Sequence, residues 1–266
     1  MTPALSGQRA NGSRVLPREC AWPIHLYSDG SSEEWAARDQ AWWASLDRDV
    51  PGVWRVTAAG RSREITLRFD ESEDNFVRDP MFFGWSPYSV RLIADDPWWY
   101  GPWVSRQFDN GTQVAPFHAG PQGAVIHIGS SSQLSSASID NPGDEPSYLV
   151  YLLHGPFESA TVGIGGQSGP VTSYVGQVPD GQTVVIDTRP GAPSRAYMVA
   201  RPTSTTGSKD WVNQWSNQTG QSVYSGLTSI AMNYPLQAGK QSPLSLQMVG
   251  AGSVEVVHRP PYRRAW

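Results

Sequence analysis

The stretch that decides the reading of this chain is Ala94-Asp95-Asp96-Pro97-Trp98-Trp99-Tyr100-Gly101-Pro102-Trp103. A predicted strand, Tyr88 to Ala94, runs into it. Asp96 before Pro97 reads as a strand-ending turn, because proline biases the residue before it toward extended backbone. Four aromatics follow within six residues. Side chains on an extended segment alternate faces, so Trp98 and Trp99 are expected to point apart. The adjacent rings therefore cannot all reach one core. They fill a domain corner, or they present a surface to a sugar or another protein. One of the two indoles is expected in its own core and the other against a neighbouring subunit or domain.

Outward from this segment the composition changes. Residues 1–120 carry 16 of the 24 acids and 12 of the 20 bases, and nine of the 12 tryptophans precede residue 104. The second half carries eight of each charge and is rich in Gly, Ser, Thr and Val. Length alone makes two domains the starting expectation for 266 residues. The break is placed at the Gly/Pro cluster Ala119-Gly120-Pro121-Gln122-Gly123. This gives an arm over 1–13, a first domain over 14–120 and a second over 121–266.

The first domain has one convincing helix. Ser31-Ser32-Glu33-Glu34 is a capping box, and Trp35, Trp42 and Leu46 follow at helical spacing. Around it sit strands: Trp22 to Tyr27, then Val53 to Thr57 and Arg63 to Phe69 flanking a turn at Ala58-Ala59-Gly60-Arg61. The second domain shows no helix. Short apolar runs recur at Ala124–Ile128, Leu134–Ile139, Tyr148–Leu153, Ala160–Ile164, Thr183–Ile186, Arg195–Val199, Leu244–Val249 and Val254–His258. Turn signals separate them, as expected for an antiparallel sandwich or jelly roll.

Several function classes find no support. The net charge of -4 argues against a general nucleic-acid or anionic-membrane binder. The single cysteine, Cys20, forms no internal disulfide and no cysteine-based zinc site. The longest apolar run, six residues, is far short of the ~20 needed to span a bilayer. Met1 to Arg14 has no apolar core of a secretory segment. No phosphate loop, nucleophile elbow or His-Glu-x-x-His motif occurs, and the five histidines (25, 118, 127, 154, 258) lie on separate elements. The pair Asp95 and Asp96 points to opposite faces, so it does not share one substrate. No catalytic, metal or cofactor site is therefore expected, and the chain reads as a non-enzyme.

The segment Ala-Asp-Asp-Pro-Trp-Trp-Tyr-Gly after a strand resembles the end of the N-terminal domain of the distal tail proteins of long-tailed bacteriophages (siphophages). The upstream order is similar too: a basic strand over Arg14 to Tyr27, the helix with Glu33-Glu34-Trp35 and Trp42, and the hairpin ending Leu67-Arg68-Phe69. The second half shares Ile139-Asp140-Asn141-Pro142-Gly143-Asp144-Glu145-Pro146, His154-Gly155-Pro156, Ile186-Asp187-Thr188 and Arg259-Pro260-Pro261-Tyr262. Minor tail proteins of actinobacterial phages share this layout, which fits 18 Arg against 2 Lys. The resemblance covers residues 14–266.

The resemblance implies a mainly β protein: an N-terminal barrel or split-barrel ring domain with one α-helix, then a galectin-like antiparallel β-sandwich. It implies a structural virion protein at the tail tip, made in the host bacterial cytoplasm. The subunit would form a ring, usually hexameric, joining the tail tube to the tail hub and supporting adhesion devices. Its partners would be further copies of itself, tail tube protein, hub and tip proteins and the tape measure protein. Many relatives have a longer N-terminus, so an edge strand of the ring domain is expected to be missing or differently supplied. Trp35, Trp42, Trp98, Trp99 and Trp103 are the candidate interface residues.

The alternative is a carbohydrate-binding module that recognises a host-surface glycan. The galactoside motifs His-x-Asn-x-Arg and Trp-x-x-Glu are both missing. Trp211, Trp215 and Tyr224 are the residues left to stack on a sugar, or else they pack a loop.

Overall fold

A computed structural model describes residues 15–74, 78–110, 134, 136–192, 195–201 and 220–266. The cluster at 119–123, the run 124–128, and Trp211 and Trp215 lie outside the described residues. The chain is mainly β, with antiparallel sheets. It divides into two compact units, Met1–Tyr100 with Arg263–Trp266, and Gly101–Tyr262.

The division falls at Tyr100/Gly101, not near residue 120. The reason is a strand over Val104–Asp109 that pairs along its whole length with Ser253–His258 of the second unit. The expected ring domain over 14–120 is corrected twice. The first unit ends at Tyr100, and it takes in the last four residues of the chain. Arg18 donates to the Arg263 carbonyl (2.9 Å) and the buried Arg63 to the Arg264 carbonyl (2.6 Å).

In the first unit, β1 (Arg18–Tyr27), β2 (Gly52–Ala58), β3 (Arg61–Asp74), β4 (Trp85–Ala94) and β5 (Trp99–Tyr100) form one sheet. Its order is β1-β4-β3-β5, with β2 also on β3. The hairpin β2–β3 turns on two residues with positive φ, Ala59 (50°) and Gly60 (74°), the geometry that matches strand twist. Only Gly60 adopts it without a Cβ penalty. The sheet is an open one and does not close into a barrel. It curls strongly, however: Trp22 on β1 and Trp54 on β2, strands with no pairing between them, stack with centroids 5.4 Å apart.

Helix α1 (Ser32–Ala44) starts as its capping sequence dictates. The Ser31 hydroxyl accepts from the Glu34 N–H (3.2 Å), and Glu33 and Glu34 face the positive helix end. A second helix, the single turn α2 (Pro80–Phe83), goes beyond the one helix expected. Asp79 caps it through the Met81 N–H (3.0 Å), proline occupies its first position, and Gly84 closes it at φ 67°.

The second unit is a sandwich of two antiparallel sheets. Its further strands are β6 (Val104–Asp109), β7 (Ser138–Asn141), β8 (Val150–His154), β9 (Phe157–Ile164), β10 (Val171–Val178), β11 (Gln182–Asp187), β12 (Ala196–Ala200), β13 (Gln221–Ser222), β14 (Leu227–Ser229), β15 (Lys240–Gly250) and β16 (Ser253–His258). One sheet runs β14-β10-β9-β15-β7 and the other β13-β12-β11-β8-β16-β6. Their facing residues, among them Tyr151, Leu153, Val162, Val184, Ile186 and Leu246, form the core. β8 is buried on both faces. Tyr151 and Leu153 enter that core, while Val150 and Leu152 join Val185, Val257 and Trp103 on the other side. A continuous apolar run is the sequence form such a strand takes.

Candidate functional site

In the first unit a row of aromatic rings links the helix to the aromatic segment. Trp99 is 7% exposed and lies 6.1 Å from Trp54. Trp54 stacks on Trp22, and Trp22 meets Trp42 of α1 edge-on at 5.5 Å. Trp43 makes T-shaped contacts with Tyr88 (5.1 Å) and Phe69 (6.2 Å). The Tyr88 hydroxyl donates to Asp39 of α1 (2.5 Å), and burial together with that carboxylate pushes its pKa up. Aromatic pairs of this kind add roughly 0.5–1.5 kcal/mol each beyond their buried area. The row Trp42-Trp22-Trp54-Trp99 thus ties helix, both outer strands and the end of the unit together.

The two aspartates of the segment hold local structure. Asp95 pairs with Arg68 through both carboxylate oxygens (3.0 and 3.3 Å). Asp96 accepts from the Trp98 N–H (3.5 Å) and the Tyr100 hydroxyl (2.6 Å). Each carboxylate serves a different partner, in the bend between β4 and β5.

Of the candidate interface residues, Trp35 and Trp99 are buried and have little surface to offer a partner. Trp42 and Trp98 are half-buried. Trp103 belongs to the second unit, packed against Val150, Leu152, Val185 and Val257, with the Arg259 guanidinium 5.9 Å above its ring. The Trp98/Trp99 pair thus divides into one buried and one half-buried ring.

The larger exposed aromatic surface lies elsewhere. Tyr27 and Trp85 face each other at the end of β1 and β4, and Met81, Phe82 and Phe83 stand beside them on α2. The Ser28 N–H donates to the Gly84 carbonyl (2.8 Å) and anchors α2 to that end. Phe82 is 81% exposed. Sequence reading missed this patch. Its signal was Asp79-Pro80-Met81-Phe82-Phe83-Gly84: a capped single turn cannot bury three consecutive large apolar residues on one side.

A second feature of the first unit is an open-mouthed apolar cleft of about 180 Å³, walled by Trp22, Leu46, Val53, Trp54, Leu67 and Phe69. Val50 and Val53 stand exposed at its mouth. Ser45 and Asp47 also line it, and Asp47 accepts from the Asp49 and Val50 N–H groups, which hold its pKa below the usual value.

Among the described residues, the second unit carries two buried histidines. His154 Nδ1 lies 2.9 Å from the Thr183 hydroxyl and Nε2 3.5 Å from Glu255. Thr183 is fully buried, so this row resembles a nucleophile–base–acid arrangement without access for a substrate. His258 Nε2 donates to the Asp140 carbonyl (2.9 Å), and Nδ1 lies 3.0 Å from the Ser147 hydroxyl. Burial drives its pKa down to about 4. His25 is exposed beside Trp85, and His118 and His127 lie outside the described residues. Among the described residues no group of three or more His, Cys, Asp or Glu converges as a metal would require. No helix among them is long and apolar enough to cross a membrane. Tyr224, the described member of the sugar-stacking candidates, is 48% exposed.

No family model matches the chain, and no curated protein matches it. Its fold has solved counterparts. The Dit protein of phage SPP1, described as a paradigm of the hub adsorption apparatus in phages infecting Gram-positive hosts, superposes with a TM-score of 0.63. The match covers 98% of this chain and 85% of that one at 13% identity. The phage P2 baseplate in its activated conformation, with Ca or with Sr, matches more loosely. Its TM-scores are 0.46 and 0.47 at 9% and 12% identity, over 90% of this chain and 78% of the other.

Proposed function

We propose that the protein is a structural subunit of a phage tail tip, a ring-forming distal tail protein that joins the tail tube to the hub. The observation that carries the reading is the match of both units together, over nearly the whole chain, to the fold of a phage hub protein. A single shared sandwich would be weak support, because such sandwiches host many functions. A curled sheet with one long helix and a single-turn one, followed in one chain by a two-sheet sandwich, is a more restrictive arrangement.

In this reading the first unit makes the ring and the second projects from it toward adhesion devices. Copies of the chain, tail tube protein, hub proteins and the tape measure protein are the partners, the virion tail is the location, and the protein has no catalytic role. The resemblance in motifs, from the Trp-Trp-Tyr-Gly segment to the terminal Arg-Pro-Pro-Tyr, points the same way independently of the fold. Electron microscopy of the purified chain tests this. Annular particles of uniform diameter are expected, with six-fold averages. Isolated single subunits throughout would contradict it.

A further inference from the structure

We infer that copies of this chain join by inserting Phe82 of one first unit into the apolar cleft walled by Trp22, Val53, Trp54 and Phe69 of the next. The inference rests on the ring reading above and names the contact that would build it.

Three observations lead there. The first is area. Tyr27, Met81, Phe82, Phe83 and Trp85 leave between 41% and 81% of their surfaces exposed. At ~200 Å² per large side chain this is on the order of 500 Å² of apolar surface, at the upper end of what a monomer shows. It would supply most of one side of a standard interface of ~800 Å² per partner.

The second is fit. Phe82 is the most exposed of these rings and sits on a turn held rigidly at both ends, by Asp79 before it and by Gly84 after it. Phe83 meets it edge-on at 5.1 Å and is itself backed by Arg78, 5.2 Å from its ring. The cleft holds about 180 Å³. A cavity of about 150 Å³ lined by apolar side chains takes up benzene, so this volume suits one phenyl ring.

The third is placement. The patch lies at the Trp85 end of β4, and the cleft reaches Leu92 on the same strand. Seven residues at ~3.4 Å put about 24 Å between them. Each copy therefore carries one projection and one receptor at separate places, which is what a repeating head-to-tail contact needs.

The full-length variants Phe82→Asp and Val53→Asp test this, with light scattering and thermal melts at matched concentration. Both residues are exposed, so both variants should melt as the wild type does. Each should weaken association about 30-fold or more, as loss of a central interface anchor does. The decisive sample is the equimolar mixture. Phe82→Asp retains an intact cleft and Val53→Asp retains an intact phenyl ring, so one contact is restored and the mixture should give a dimer that grows no further. If each variant assembles as the wild type does, the contact is wrong while the ring reading stands. If the variants are monomeric but the mixture yields no dimer, the patch meets something other than the cleft, and the inference falls. If the wild type itself never associates, the ring reading fails and takes this contact with it.

Discussion

Removing the Trp99 indole takes out the innermost ring of the row that links Trp54, Trp22 and Trp42. Trp99→Ala should cost about 3–5 kcal/mol of stability, the range for a large buried aromatic. Trp98 is half-buried and has no part in that row. Trp98→Ala should leave the protein folded, and in the proposed ring it should weaken assembly. Melting curves and light scattering on both variants separate the two effects, and two equally stable variants would overturn the division. His258 gives a pH prediction at the same scale. Its folded pKa of about 4 lies below the ordinary ~6.5. Below pH 6.5 the unfolded chain binds a proton that the folded one refuses. The contribution is therefore complete above pH 6.5 and lost as pH falls toward 4, at up to ~1.4 kcal/mol per pH unit. Chemical unfolding at pH 7, 5.5 and 4 should show this slope in the wild type and a shallower one in His258→Gln, whose amide can still donate to the Asp140 carbonyl. Equal slopes would contradict it.

At the scale of elements, among the described residues β1 pairs with β4 on one side only. The Ser28 N–H donates to Gly84 across the β1–β4 end. Antiparallel alternation then turns the backbone groups of residues 26, 24 and 22 toward β4 and those of 27, 25 and 23 outward. Pro23 thus places its missing N–H on the open edge, where proline is tolerated and where it interrupts pairing by another strand. Pro23→Val should restore that donor without loss of stability and should raise irreversible aggregation on heating, followed by turbidity. An unchanged aggregation rate would show that the edge is covered.

Sequence reading recovers elements where a local rule acts alone. Ser31 with Glu34 set the start of α1, the alternation Trp22, Ile24, Leu26 set β1, and Ala59-Gly60 set the hairpin turn. It missed β10, Val171–Val178, because polar Thr172 and Ser173 and the glycine at 176 break any apolar run. There Thr172 is buried, its hydroxyl accepting from the Ala231 N–H (3.1 Å), a long-range satisfaction no local pattern reveals. The exposed patch on α2 was missed for the converse reason. Its apolar residues suggest a core, and only tertiary structure leaves them outside.

At the scale of the molecule, the same limit explains the unit boundary. The Gly/Pro cluster at 119–123 is the strongest breaker signal near the middle of the chain. Yet β6 lies before it and already belongs to the second unit through its pairing with β16, almost 150 residues on. The return of Arg263–Trp266 to the first unit is likewise a matter of long-range contact. What was legible was the class of each half: a tryptophan-rich unit with one main helix and a strand-dominated unit rich in small residues. The central claim is that the chain is a ring subunit, and its mass in solution tests this most directly. Light scattering across a concentration series should find a discrete closed particle about six times the 29.1 kDa monomer, with no larger species growing in as concentration rises. A 29.1 kDa monomer at every concentration would contradict the account.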